Sequence, residues 1–271
     1  YHKMKLLVVT QKVDQNDQLL GFFIDWLRLF AGKFEKVKVV CLEKGQHDLP
    51  QNVEVRSLGK DKKLPKVFWL FNFYRYIIGS RKDYDAVLVH MNPIWMVLGG
   101  PVWKIMGKKN FLWYTSGGVT FKLKLAEKFT NVVFTASKES FRLPSKKVII
   151  TGHGIDTNLF KPSFSRSDLG GLQRSDLRIL SVGRIAPVKN YETLIEAAKI
   201  LQDKGVDFSV TIVGEAPSLK KDTNYKLQIT NKIKELDWRI ILILSEKLII
   251  KIYRNIISPM MFLFIYLKRA V

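Results

Sequence analysis

SVGRIAPVKN, residues 181–190, decides the reading of this 271-residue chain. The apolar run RILSV (178–182) leads into it and stops at Gly183 and Arg184. A helical pattern leaves it, YETLIEAAKILQDKG at 191–205, closing on a glycine of the kind that ends helices. The ten residues therefore read as a strand end, a loop through Pro187 and a helix start. Arg184 and Lys189 fall at one strand-to-helix junction, where two cations and the positive end of a helix dipole converge. That combination suits a diphosphate. A guanidinium grips two oxygens at once, while an ammonium acts as a mobile point charge. Gly183 lets a ligand approach the backbone. FSVTIVGE (208–215) ends the next strand in the same manner, and its Gly214 either admits a ligand or makes a strand-end turn.

The same alternation of apolar runs and helical patterns fills the chain upstream. LLVVT (6–10), KVKVVCL (36–42), VEVRSL (53–58), AVLVHM (86–91), NFLWYT (110–115), VVFTAS (132–137) and KVIITGH (147–153) read as strands. LLGFFIDWLRLFAGKF (19–34), VFWLFNFYRYIIG (67–79), PIWMVLGGPVWKIMG (93–107) and LKLAEKF (123–129) read as helices, with Pro93 suited to a first turn. Continuous apolar strands separated by helices indicate a parallel sheet covered on both faces. A stretch rich in Pro, Ser, Gly and charge, 161–176, reads as a linker. After it the alternation restarts, and the second half of 218–237 reads as helical. The expectation is an α/β chain of two doubly wound parallel-sheet domains, 4–160 and 177–271, the second incomplete. Ligands in such sheets bind beyond the carboxyl ends of the strands, and two facing domains enclose a cleft.

Composition sets outer limits. A hydrophobic content of 47% and a charged content of 25% fit an ordinary globular core. The balance of 45 Lys+Arg against 24 Asp+Glu, formally +21, fits either solubility alone or attraction to a polyanion or an anionic lipid surface. Aromatic residues lie mostly in apolar runs rather than interleaved with basic ones, so no nucleic-acid partner is expected. Cys41 excludes a disulfide framework, fits a reducing compartment and reads as a buried inert thiol. His2, His47, His90 and His153 show no metal-ligand spacing, and no metal is expected. The opening apolar run meets polar sequence at Gln11, too soon for a secretory signal, so a cytoplasmic location is expected. Tyr1–Lys3 read as a remnant ahead of a natural start at Met4.

SVGRIAPVKNYETLIEAAKIL (181–201) followed by VTIVGEAP (210–217) is similar to the donor-binding lobe of glycosyltransferase family 4. TGHGIDTNLFKP (151–162) resembles the segment that closes that family's first lobe. TASKESFRLPSKKVIITGHGID (135–156) and VHMNPIWMVLGGPVW (89–103) resemble members that build bacterial polysaccharides. The resemblance spans residues 4–237 and implies a GT-B fold, with a glycan or lipid-linked acceptor on the first lobe and a nucleotide-sugar on the second. It also implies transfer with retention and without a metal or other cofactor. Arg184 and Lys189 match the positions that hold the donor diphosphate and stabilise it as it leaves. Gly183 and Gly214 complete the candidate donor set. Within TGHGID, Gly154 reads as a turn and Asp156 as a helix cap, a hinge rather than chemistry.

The chain departs from the family in three places. Ser116 stands where the family commonly places a histidine facing the sugar, which leaves His90, at the end of AVLVHM, as the nearest candidate catalytic imidazole on the expected cleft. A single Gly21 replaces the paired-glycine loop after the first strand. Beyond Asp237 the sequence turns rich in Ile, Leu, Lys and Phe, and Glu246 is the only glutamate where an E-x7-E pair is expected to hold the sugar and ribose. A shifted reading frame accounts for that change. The rival account, a membrane-spanning tail, has only the 13 uncharged residues of Asn255–Leu267, shorter than a span. The aromatic helices at 67–79 and 93–107 fit either core packing or docking on the cytoplasmic face of a membrane. The expected function is therefore sugar transfer from a nucleotide-diphosphate sugar, impaired in this chain. The alternative is a non-catalytic nucleotide-sugar or phosphosugar binder.

Overall fold

The computed structural model describes residues 3–17, 19–154, 177–214, 220–235 and 240–243. The chain divides into two compact units, Tyr1–Gly154 and Ile155–Val271.

The first unit is a seven-stranded sheet in the order β3-β2-β1-β4-β5-β6-β7. Its strands are β1 (Lys5–Val13), β2 (Lys36–Lys44), β3 (Val53–Ser57), β4 (Ala86–His90), β5 (Lys109–Trp113), β6 (Val132–Thr135) and β7 (Val148–Ile150). Every neighbouring pair is parallel. The strands pack on both faces because successive side chains alternate. Leu6, Val8, Val37, Val39 and Leu88 bury against Phe23, Ile24 and Leu27 of α1 (Phe23–Lys33). Leu7, Val9, Val40, Val87 and Val89 bury on the other face. There they meet α2 (Lys66–Gly79) through Phe73 and Ile77, α3 (Pro93–Ile105) through Trp95, Met96 and Trp103, and α4 (Phe121–Phe129) through Leu123 and Ala126. Small residues bring α3 close to its neighbour: a Cβ on Gly100 would stand 2.5 Å from the Cβ of Phe129.

One boundary differs from the sequence reading. Helix α1 begins at Phe23 rather than near 19. The Asp17 carboxylate accepts the amides of Leu19 and Leu20, and the Asp17 carbonyl accepts that of Gly21, so the chain turns before it can coil. The aromatic helix α2 turns only part of its surface inward, burying Phe73 and Ile77 and leaving Val67 and Phe71 exposed.

The second unit carries a three-stranded parallel sheet ordered β10-β9-β8, with β8 (Leu177–Val182), β9 (Phe208–Val213) and β10 (Ile240–Ile243). Helix α5 (Tyr191–Asp203) packs Leu194, Ile195 and Ala198 against Ile179, Val210 and Ile212. Helix α6 (Lys220–Glu235) adds Tyr225, Ile229 and Ile233, one stripe at four-residue spacing. The whole span 220–235 is helical, not only its second half. The sequence reading placed no strand after Asp237. Ile240–Ile243 nonetheless pairs in register with Val210–Val213, as a short run of β-branched and leucine residues can do whatever surrounds it. The linker at 161–176, Asp156 and residues 244–271 lie outside the described residues. Gly154 shows no left-handed backbone; in its segment Gly152 does, at φ 74°.

Candidate functional site

Strand β8 delivers the site of the second unit. Its ladder runs one residue past the strand, the Gly183 amide donating to the Val213 carbonyl at 2.9 Å. A short 3-10 turn over Pro187–Lys189 follows, closed by the Lys189 amide on the Ala186 carbonyl and the Asn190 amide on that of Pro187. Asn190 then takes a left-handed conformation, φ 51°, and α5 begins. This path brings Lys189 back over Gly183. A Cβ on Gly183 would lie 3.3 Å from Lys189 Cε, 3.4 Å from the Tyr191 hydroxyl and 3.6 Å from Lys189 Nζ. Gly183, Lys189 and Tyr191 are thus one cluster, and the Tyr191 hydroxyl donates to the Gly183 carbonyl at 3.2 Å. Arg184 and Lys189 are both exposed, and neither has an ion-pair partner among the described residues.

Gly214 has a different reason to be glycine. A Cβ there would lie 1.8 Å from the Gly183 carbonyl oxygen, so the two strand ends pass too closely for any side chain. The space beside Gly214 is filled by protein, which favours the strand-end reading over ligand entry.

The helix end also differs from expectation. The first amide of α5, that of Tyr191, donates to the Tyr225 hydroxyl at 2.9 Å, and Tyr225 in turn donates to the Glu192 carboxylate. Burial, and then this carboxylate, push the Tyr225 phenol above its usual range; burial raises that of Tyr191. Both hydroxyls therefore stay protonated and act as donors. With one amide taken and a carboxylate in its first turn, the helix contributes less to anion binding than the bare motif implies. The cations carry the charge complementarity. Tyr225 and Glu192 were missed by sequence reasoning, since 33 residues separate them. The signal available was an acid in a helix first turn.

In the first unit, chain order reverses between β1 and β4, the switch point at which open parallel sheets place ligands. His90 closes β4 there, but it does not face an opening. It is 1% exposed, stacked on Phe23 at 4.1 Å between centroids and edged by Phe22 and Trp26. Its Nδ1 pairs with the Thr10 hydroxyl at 3.0 Å across the β1–β4 seam, while Nε2 has no partner among the described residues. Burial pushes its pKa down to about 4, so it is neutral at physiological pH. The expectation that His90 lines a cleft fails because α1 closes over it. The residue after it, Met91, holds a left-handed backbone at φ 65°. Ser116, exposed just beyond β5, does reach the carboxyl end of the sheet. Cys41 is buried, and burial raises its thiol to about 12. Among the described residues no group of three or more His, Cys, Asp or Glu is placed to hold a metal ion. No helix among them is long and apolar enough to cross a membrane.

Set beside known proteins, residues 170–261 match the family model described as glycosyl transferases group 1. That stretch includes β8, the loop to α5 and β10, so the junction lies inside a glycosyltransferase sequence pattern that continues beyond Asp237. No curated protein sequence matches the chain significantly. Among solved structures, HepE from Anabaena in complex with UDP aligns at a TM-score of 0.64 and 18% identity, covering 89% of this chain and 69% of that one. The same protein in complex with UDP-glucose aligns at 0.60 and 16%, over 89% and 70%. A glycosyltransferase from Rickettsia africae ESF-5 aligns at 0.64 and 15%, over 97% and 73%. The fold is accordingly that of the GT-B glycosyltransferases, α/β with parallel sheets.

Proposed function

We propose that the second unit binds the diphosphate of a nucleotide-sugar at the β8–α5 junction, and that the chain is a sugar transferase or a form of one with weakened transfer. The observation that carries this reading is the placement of Arg184 and Lys189. Both are exposed at the carboxyl end of a parallel strand, with Lys189 folded over Gly183, inside the stretch similar to group 1 glycosyl transferases. The UDP and UDP-glucose held by HepE, which shares the fold, support a nucleotide-sugar as donor. In this reading the guanidinium and ammonium balance the charge that grows on the diphosphate as the sugar leaves, the task a divalent ion performs elsewhere. We further assign the chain to the retaining family 4 enzymes of polysaccharide assembly, with a glycan or lipid-linked acceptor. No role in contacting the sugar is given to His90.

A second reading, binding without transfer, is favoured by a specific feature: Ser116 stands where the resembled family commonly places a histidine facing the sugar. Titration calorimetry with uridine, UDP and UDP-sugars tests the shared part. Affinity is expected to require the diphosphate and to fall about tenfold or more in Arg184→Ala and in Lys189→Ala, the scale of one charge-assisted contact. Equal binding by both variants would refute the site. Release of UDP from a UDP-sugar in the presence of acceptor then separates transfer from binding alone.

A further inference from the structure

The loop that carries Arg184 and Lys189 is held unevenly. At its start the Gly183 amide is fixed on the Val213 carbonyl at 2.9 Å, and two residues on, the side chains of Ile185 and Ala186 are buried. Arg184 therefore lies between two anchors. From Pro187 to Asn190 every residue is exposed. The chain is next tied down at Tyr191, which is 2% exposed. Where Lys189 stands thus depends on what holds Tyr191.

Two bonds hold it. The Tyr191 hydroxyl donates to the Gly183 carbonyl at 3.2 Å, which closes the loop on itself. The Tyr191 amide donates to the Tyr225 hydroxyl at 2.9 Å, and Tyr225 donates onward to the Glu192 carboxylate. An amide at the start of a helix has no carbonyl one turn back to accept it. Here a side chain of another helix, α6, takes that place. Its ring is buried, in the same stripe as Ile229 one turn on. The bond also borders Asn190, left-handed at φ 51°, a conformation that a residue with a side chain adopts only where its surroundings impose it. The Pro187 carbonyl, accepting the Asn190 amide at 3.1 Å, imposes it from one side and Tyr225 from the other.

We propose that Tyr225 is a positioning residue of the diphosphate site: its hydroxyl, reaching across from α6, sets the place of the Lys189 ammonium over Gly183 and has little hold on Arg184. The proposal rests on the diphosphate reading of the β8–α5 junction. To that reading it adds a residue that acts through Lys189 rather than on the ligand.

Titration calorimetry with UDP across paired variants tests it. Tyr225→Phe keeps the buried ring and removes only the hydroxyl. It is expected to weaken UDP binding about threefold to tenfold, the scale of one buried hydrogen bond. In a Lys189→Ala background the same change is expected to cost less than about twofold, because the group it positions is gone; in an Arg184→Ala background it is expected to cost its full factor. Ile229→Val is the control for a loosened α6: it is expected to lower the melting temperature and to keep UDP affinity within about twofold. Hydrogen–deuterium exchange of the free protein gives a readout that needs no ligand. The segment Lys189–Glu192 is expected to exchange faster in Tyr225→Phe, and strand β8 is not. Undiminished UDP affinity or unaltered exchange in Tyr225→Phe, equal losses in the two alanine backgrounds, or an equal loss in Ile229→Val would each overturn the positioning role and leave the diphosphate site standing. Unchanged UDP affinity in Lys189→Ala would refute the site itself, and the positioning role with it.

Discussion

A methyl group at position 214 has nowhere to go. It would overlap the Gly183 carbonyl at 1.8 Å, and both backbones are fixed by the β8–β9 ladder. Gly214→Ala is expected to destabilise the second unit by about 1–3 kcal/mol, as overpacking does, read as a lower denaturant midpoint. An unchanged midpoint would show the two strand ends to lie further apart. His90 makes a second residue-scale prediction. Its folded pKa is pushed down to about 4 by burial, against about 6.5 for a free imidazole. Between those values the unfolded chain binds more protons than the folded one, so stability is fully present above about pH 6.5 and declines toward about pH 4. His90→Phe should remove that part of the acid sensitivity, and melting curves from pH 7 to pH 4 for both chains measure it. Parallel loss in both would place the imidazole in contact with solvent. Arg184 and Lys189 could be singled out in the sequence because strand, loop and helix that set their placement are contiguous. The Tyr225–Glu192 pair and the burial of His90 depend on chain segments far apart, which no local pattern encodes.

At the scale of elements, periodicity carried most of the information. Strands buried on both faces leave apolar runs, so β1, β2 and β4 were legible from those runs. The start of α1 was not, because a carboxylate at Asp17 outcompetes the helical pattern of Leu19–Phe22. Helix α2 was legible as a helix but not in its orientation. Its mean apolarity matches that of a buried helix, and only packing reveals that Phe71 points away from Phe73. Strand β10 was missed because the surrounding sequence lacks turn residues. Its pairing with β9 makes a prediction: backbone amides in Ile240–Ile243 should exchange with deuterium more slowly than an unpaired segment of the same composition. Exchange at the unpaired rate would remove β10 from the sheet and restore the break at Asp237.

At the scale of the whole molecule, the proposed nucleotide site belongs to the second unit alone. The first unit supplies a sheet with its switch point sealed by α1 over His90. The second supplies the exposed Arg184 and Lys189 beside Gly183. Ser116, in place of the histidine that the resembled family sets facing the sugar, predicts that binding outlasts catalysis: affinity for UDP with little turnover of a UDP-sugar. The central claim is the location of the diphosphate. Hydrogen–deuterium exchange with and without saturating UDP tests it most directly. Protection confined to the segment from Gly183 to Glu192 is the predicted result. Protection centred instead on the β1–β4 switch point around Thr10 and His90, or none anywhere, would contradict it.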